Sequence, residues 1–367
     1  MLAPFSAALA ACYGAAVKFR NARYDRGLGV RRLPLPTISV GNIVVGGAGK
    51  SPIVRWIVDS LRELGHRPMI AMRGYGSHDP ELADEAVEHR RCSPDVAVVV
   101  GADRFAAVTT AIDEGLDADC VVLDDGFQHR RLARDLDLVL IDAREPRLDG
   151  RLLPAGWLRE PPSALRRADA VIVTHATGVD PTLAAAIERV HGRTPIAWTR
   201  HDWDGLDLRC SGDEPRRWER VGNEWLDRRT IVVMAGLADP SSVVEMAERH
   251  GARVELIRGR DHQRYDAGWV RTLIDRLREV DADAALLTGK DWAKVAPLLD
   301  SIDEMLDRPI LDRPMLDRPI LDRPILDRPI VVPRLRIVTT DGEAAVPEAL
   351  RRALRDAIAG VDWEPTR

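Results

Sequence analysis

The hexapeptide Gly46-Gly47-Ala48-Gly49-Lys50-Ser51 follows a β-rich run, PTISVGN, and precedes a helical pattern, IVRWIVDSLRELG. Glycines let backbone N–H groups curl around phosphate oxygens, and the N-terminus of a following helix adds positive potential. In that setting Lys50 reaches the β- and γ-phosphates of a nucleotide, and the Ser51 hydroxyl ligates Mg²⁺. The strict GxxxxGK[ST] spacing wants glycine at 44, where this chain has Val44, so the match is to the shortened form GGxGK[ST]. Gly46, Gly47, Ala48, Gly49, Lys50 and Ser51 are therefore read as the residues that bind ATP. Lysine is scarce: Lys18, Lys50, Lys290 and Lys294 are the only ones among 53 Lys+Arg residues. A position that stays lysine in such a chain needs a compact ammonium rather than a planar guanidinium.

The second cluster is Val121-Val122-Leu123-Asp124-Asp125-Gly126-Phe127-Gln128-His129. An apolar strand that ends in carboxylates can deliver one of them to the Mg²⁺ shell at the carboxyl edge of a parallel sheet. Asp124 is the expected metal contact beside Ser51. No Cys/His cluster or HExxH spacing accompanies these residues, and a structural zinc is not expected.

Positioning such groups takes strands that alternate with helices. Short apolar runs recur at PMIAM, VAVVV, CVVLDD, LVLID and AVIVT, separated by helical or loop segments, and a second series starts at TIVVMAGLADP. Buried strands in alternation with helices predict an α/β fold with a mostly parallel sheet. The expected domains are an N-terminal helix over 1–24, a phosphate-loop lobe over 25–200, a linker over 201–228 with Trp203, Trp218 and Trp225, and a second α/β lobe over 229–367. Residues 306–330 are five copies of LDRP[IM]. Proline at every fifth position forbids continuous helix and regular ladder pairing, so the tract is read as an extended surface insertion.

Composition narrows the partners. A net charge of −5 and a pI near 6.0 argue against nucleic acid. Four cysteines without paired spacing fit a reducing compartment. Residues 1–17 are apolar and uncharged, and Lys18, Arg20, Arg23, Arg26, Arg31 and Arg32 follow. Positive charge after the apolar run is the reverse of a cleavable signal peptide. Seventeen helical residues rise about 25 Å, slightly short of a bilayer core of ~30 Å, so an interfacial helix is expected.

In their order along the chain, SVGNIVVGGAGKSP (39–52), RGYG (73–76), ADEA (83–86), VVVGADR (98–104), LDDGFQHRRL (123–132), GRLLPAGWLREP (150–161), RADAVIVT (167–174), MAGLADP (234–240) and TGKDWAK (288–294) resemble the tetraacyldisaccharide 4'-kinase, or lipid A 4'-kinase, family. The resemblance implies a P-loop NTPase-like fold of two α/β/α lobes joined by a small β linker, with a membrane-associated N-terminal helix. It implies transfer of the γ-phosphoryl of ATP, with Mg²⁺, to the 4'-hydroxyl of tetraacyldisaccharide 1-phosphate in lipid A biosynthesis. The implied location is the cytoplasmic face of the bacterial inner membrane, with the lipid surface as partner and no obligate protein partner. Asp124 and Asp125 match the family's acidic pair near Mg²⁺ and substrate. Asp84 matches the acid that activates the acceptor hydroxyl, and His262 in RDHQRY (260–265) matches the histidine that assists it. The implied catalytic residues are thus Asp84, His262, Asp125 and Lys50. Ala83, Ala86, Gln263 and Gly289 depart from the family pattern. A membrane-cycling switch ATPase also carries a GGxGK[ST] loop, but its signature lysine before the glycine pair is replaced here by Val45.

Overall fold

A computed structural model describes residues 3–46, 49–74, 84–209, 218–237, 239–260, 263–306 and 328–359, with the backbone alone at 3–5, 84 and 300–306. Two compact units emerge, one of Met1–His201 with Ile337–Arg367 and one of Asp202–Arg336.

The first unit runs α1 (Ala3–Asp25), β1 (Thr37–Gly41), α2 (Lys50–Glu63), β2 (Pro68–Met72), α3 (Asp84–Cys92), β3 (Val98–Val100), α4 (Arg104–Asp113), β4 (Cys120–Asp124), β5 (Leu136–Asp142), β6 (Ala170–Thr174) and α5 (Pro181–His191). It then enters the first residues of β7 (Ala197–Arg209). Its strands lie in the order β7-β6-β5-β1-β4-β2-β3, with parallel pairings throughout. Every residue of β1, β2, β4 and β6 is buried, as helices on both faces of a parallel sheet require. Ile53, Val54, Ile57 and Leu61 of α2 pack on Ile38, Val40, Ile70 and Val122. On the other face, Leu183 and Ile187 of α5 join Val139, Ile141, Val171, Val173 and Trp198.

The second unit continues through the rest of β7, β8 (Trp218–Val221), β9 (Thr230–Ala235), α6 (Ser241–Arg249), β10 (Arg253–Arg258), α7 (Ala267–Glu279), β11 (Ala284–Leu287) and α8 (Gly289–Leu306) into β12 (Ile330–Asp341). Its parallel order is β10-β9-β11-β12, and β8 pairs antiparallel with β7. Within the stretch read as a linker, 201–228, the described residues include the end of β7 and all of β8, with Trp203 buried in the unit's core.

Two boundaries differ from the sequence reading. The second lobe does not extend to 367. Helix α9 (Ala345–Ala359) places Val346, Leu350 and Leu354 among Ile57, Leu61 and Leu138 of the first unit. Its apolar stripe fixes which face is buried, but not which sheet receives it. The surface insertion also ends before 330, because Ile330 opens β12 and is buried, and the Pro329 carbonyl accepts a hydrogen bond from Ala285 N. Copies further back, over 307–327, lie outside the described residues.

The site-bearing turn is tied to β1 by backbone contact. A Cβ on Gly41 would sit 2.7 Å from both the Cβ and the N of Phe127, and one on Gly126 would sit 2.5 Å from the Ser39 hydroxyl. Only glycine lets the turn after β4 lie this close to the strand that feeds the phosphate loop. Gly41→Ala should therefore cost about 1–3 kcal/mol through overpacking, read as a lower urea unfolding midpoint.

Candidate active site

The phosphate loop leaves β1 and enters α2 through Gly49, whose φ of 70° lies in the left-handed region that glycine tolerates. Lys50 and Ser51 open the helix, and Ser51 is buried there. The parallel register pairs Val40 with Asp124, so β4 delivers its terminal carboxylate level with the start of the loop. Asp125 follows at φ 50°, an unusual conformation for a residue with a Cβ. That turn aims its carboxylate back at the loop: Oδ1 lies 3.7 Å from Lys50 Nζ, which also donates to the Gly46 carbonyl at 3.3 Å. The other carboxylate oxygen accepts from Arg159 Nη1 at 2.6 Å. Structure thus brings Lys50 and Asp125 together as a pair, with Gly46, Gly49 and Ser51 around them.

Asp124 is buried, and its Oδ2 lies 2.9 Å from Nε2 of His89, a fully buried residue of α3. Arg104 donates to the Asp124 carbonyl at 3.0 Å. Burial alone would raise the carboxyl pKa. The His89 hydrogen bond and the charges of His89, Lys50 and Arg104 outweigh it and hold Asp124 below its ordinary value, ionised at neutral pH. This suits a group that must meet a cation. A buried Oδ1 of Asp125 that accepts no hydrogen bond adds a second vacant lone pair at the same turn. Ser51, Asp124 and this oxygen would offer oxygen donors of the hardness Mg²⁺ prefers.

At the carboxyl ends of β5 and β6 stand Asp142, Arg144 and His175, beside His201 of β7. His175 Nδ1 is 3.0 Å from Asp142 Oδ2, and its ring meets that of His201 edge-on at 4.5 Å. A Cβ at Gly49 would approach His201 Nε2 to 3.0 Å and His175 Cε1 to 3.3 Å, so the imidazoles form a wall against the loop. Burial, reinforced by the charges of His175 and Arg144, lowers the His201 pKa to about 3 and keeps it neutral.

The second unit assembles its own cluster from three motifs. Asp291 of TGKDWAK is buried and accepts from Gly236 N at 3.1 Å, Tyr265 Oη at 2.7 Å and Thr288 Oγ1 at 2.6 Å. Lys294 donates to the Gln263 carbonyl at 3.3 Å, so α8 fixes the segment after His262. His262 itself lies outside the described residues, as do Gly47 and Ala48, and Asp84 is described only as the backbone that opens α3.

Sequence reasoning missed His89, Arg104 and Arg159 as partners of the acid pair. His89 looked like one of several scattered histidines, and nothing in its spacing signals a carboxylate 35 positions away. Arg104 and Arg159 do sit within VVVGADR and LLPAGWLREP, motifs whose presence was the available hint.

His89→Ala should destabilise the protein by about 3 kcal/mol at pH 7, because it leaves a buried carboxylate without its main partner. Asp124 has a folded pKa below its unfolded value of about 3.9, so the stabilisation is present above that pH and lost as pH falls through the folded value. Urea unfolding of wild type and variant should accordingly converge in acid.

A family model described as tetraacyldisaccharide-1-P 4'-kinase matches residues 2–310. A tetraacyldisaccharide 4'-kinase of Geobacter metallireducens is 36% identical over 315 residues, which cover 81% of this chain and 89% of that protein. Another, from Anaeromyxobacter dehalogenans, is 38% identical over 339 residues, covering 77% and 87%. Among solved structures, LpxK from Aquifex aeolicus in complex with ATP matches with a TM-score of 0.66 at 26% identity, over 96% of this chain and 98% of that one.

Proposed function

The chain belongs to the tetraacyldisaccharide 4'-kinase family, and from that premise we propose how its residues divide the work. It is an ATP-dependent kinase that phosphorylates the 4'-position of the lipid A disaccharide precursor. The observation that carries our assignment of roles is the Lys50–Asp125 pair, which joins the phosphate loop to the acidic turn.

Gly46 to Ser51 cradle the phosphates of ATP, and Lys50 neutralises charge on the oxygens of the transferred group. Ser51 and Asp124 would hold Mg²⁺, helped by the Oδ1 of Asp125, which accepts no hydrogen bond. When bound, that ion supplies charge neutralisation on the β- and γ-phosphates. Asp125 turns between Lys50 and Arg159 and orients Lys50 toward the reacting phosphate. Asp84 accepts the proton of the 4'-hydroxyl as it attacks phosphorus, and His262 assists it. Phosphoryl transfer depends mainly on positioning and electrostatics, which explains why so many residues here hold others in place rather than react.

For the lipid side, the proposed element is α1. Its Ala10, Tyr13, Gly14 and Val17 face the body of the first unit, while Ala7, Ala8, Leu9, Ala11, Ala15, Ala16 and Phe19 remain exposed. Lys18, Arg23 and Arg26 follow on exposed positions. An outward apolar strip bordered by cations suits shallow insertion into an anionic leaflet. Among the described residues no helix is long and apolar enough to cross a membrane. The proposed location is the cytoplasmic face of the inner membrane, where ATP and the lipid disaccharide meet. The switch-ATPase alternative is not favoured, since the matching family and relatives are kinases.

The test is transfer of the γ-phosphoryl from labelled ATP, with tetraacyldisaccharide 1-phosphate as acceptor in detergent. Label should enter the lipid only with acceptor and Mg²⁺, and Lys50→Ala should lower kcat by about 100-fold or more. Near-normal transfer by Lys50→Ala would remove the phosphate-loop assignment. Separately, Leu9→Asp with Phe19→Asp should shift the protein from vesicles containing phosphatidylglycerol to the supernatant on sedimentation. Unchanged pelleting would place the lipid-facing surface elsewhere.

A further inference from the structure

The first helix makes a set of contacts that a simple lipid anchor does not require. Tyr13 Oη donates to the main-chain carbonyl of Arg159 at 2.9 Å. Asn21 Nδ2 donates to Glu160 Oε2 at 2.6 Å, and Arg20 reaches Glu160 Oε1 at 3.4 Å. Glu160 is fully buried and receives two further bonds from Arg167, at 2.9 Å each. From the opposite side, Arg130 donates to the Asn21 carbonyl at 3.1 Å and pairs with Asp25 at 2.7 Å. Gly14 completes the seat, since a Cβ there would meet Leu152 at 2.9 Å.

The segment held in this way also lines the phosphate loop. Arg159 N donates to the Ile43 carbonyl and Val45 N donates to the Trp157 carbonyl, both at 2.8 Å, with Val44 and Leu158 bridged antiparallel. Residues 157–160 therefore form an added strip along the chain that leads into Gly46. One edge of the strip is zipped to that lead-in, and the other is held by α1. Between them the Arg159 side chain extends to Asp125 Oδ2 at 2.6 Å and to Gln128 Oε1 at 3.4 Å.

We propose that α1 is a positioning element of the transfer site, in which Tyr13 and Asn21 act through Arg159 to hold Asp125 facing Lys50. This rests on the kinase reading above and deepens it. Arginine has a long, rotamer-rich side chain, and its guanidinium is placed only as well as its backbone. Tyr13 fixes that backbone at Arg159 itself, and Asn21 fixes the next residue through a carboxylate with no access to water. The outward face of the same helix carries Leu9 and Phe19, so the element that meets lipid also sets the geometry of the acid pair.

The experiment compares Tyr13→Phe and Asn21→Ala in the full-length protein, each alone and combined with Arg159→Ala, by steady-state transfer to tetraacyldisaccharide 1-phosphate. Loss of one hydrogen bond should lower kcat by about fivefold in Tyr13→Phe and about tenfold in Asn21→Ala, with KM for ATP within about twofold of wild type. In the Arg159→Ala background neither change should lower kcat further, because the group they act through is gone. Tyr13→Phe removes a single oxygen and carries the test alone should Asn21→Ala not fold. Wild-type kcat in Tyr13→Phe would overturn the proposal, as would losses of equal size with and without Arg159, which mark a general structural defect. Should wild-type protein fail to label the acceptor at all, the kinase reading falls instead, and the two failures are told apart by that control.

Discussion

A carboxylate buried at the end of a parallel strand is tolerable only if it is partnered, and Asp124 is the group around which the first unit is arranged. Moving an unpaired carboxylate out of water costs several kcal/mol. His89 from α3 and Arg104 from α4 both converge on it, so the helices on either side of β3 are tied to β4 by polar contacts as well as by packing. Asp125 can then turn outward, at a strained φ, because its neighbour is fixed. The turn that results is pressed so close to β1 that Gly41 and Gly126 have no room for a side chain. The acidic turn is thereby held against the strand that feeds the phosphate loop.

The same logic extends outward in layers. Arg159 restrains Asp125, the strip 157–160 restrains Arg159, and α1 with Arg167 restrains the strip. Within the strip, Glu160 is fully enclosed yet satisfied by Asn21 and Arg167. The structure uses it as a joint between α1 and the strip. In the second unit Asp291 has a comparable place, gathering the loops of three motifs around one buried carboxyl. Burial raises its pKa, and the Thr288, Tyr265 and Gly236 hydrogen bonds oppose that rise without reversing it.

Much of this was legible residue by residue where the signal is local. A glycine-rich turn between a strand and a helix needs no partner to be recognised, and an apolar run ending in Asp-Asp announces a strand whose acids lie at a sheet edge. Apolar runs with no polar alternation gave the parallel α/β class, since only strands covered on both faces read that way. Of the proline-punctuated repeat, Leu306 ends α8 and Ile330 opens β12, where it is buried.

What the sequence alone determined is therefore the phosphate loop, the acid pair, the order of strands and helices, and an apolar N-terminal helix followed by cations. These depend on neighbours within a few residues, where spacing and side-chain type suffice. Tertiary structure decided which distant residues complete the site. His89 meets Asp124, Arg159 meets Asp125, Asn21 meets Glu160, and α9 returns to the first unit, over separations of 34 to 139 positions for the polar pairs. A hydrophobic stripe or a lone histidine states what a residue needs but not which surface supplies it. That choice is made by the register of β1 with β4 and by the closeness that glycine permits there, and neither is written in any single segment of the chain.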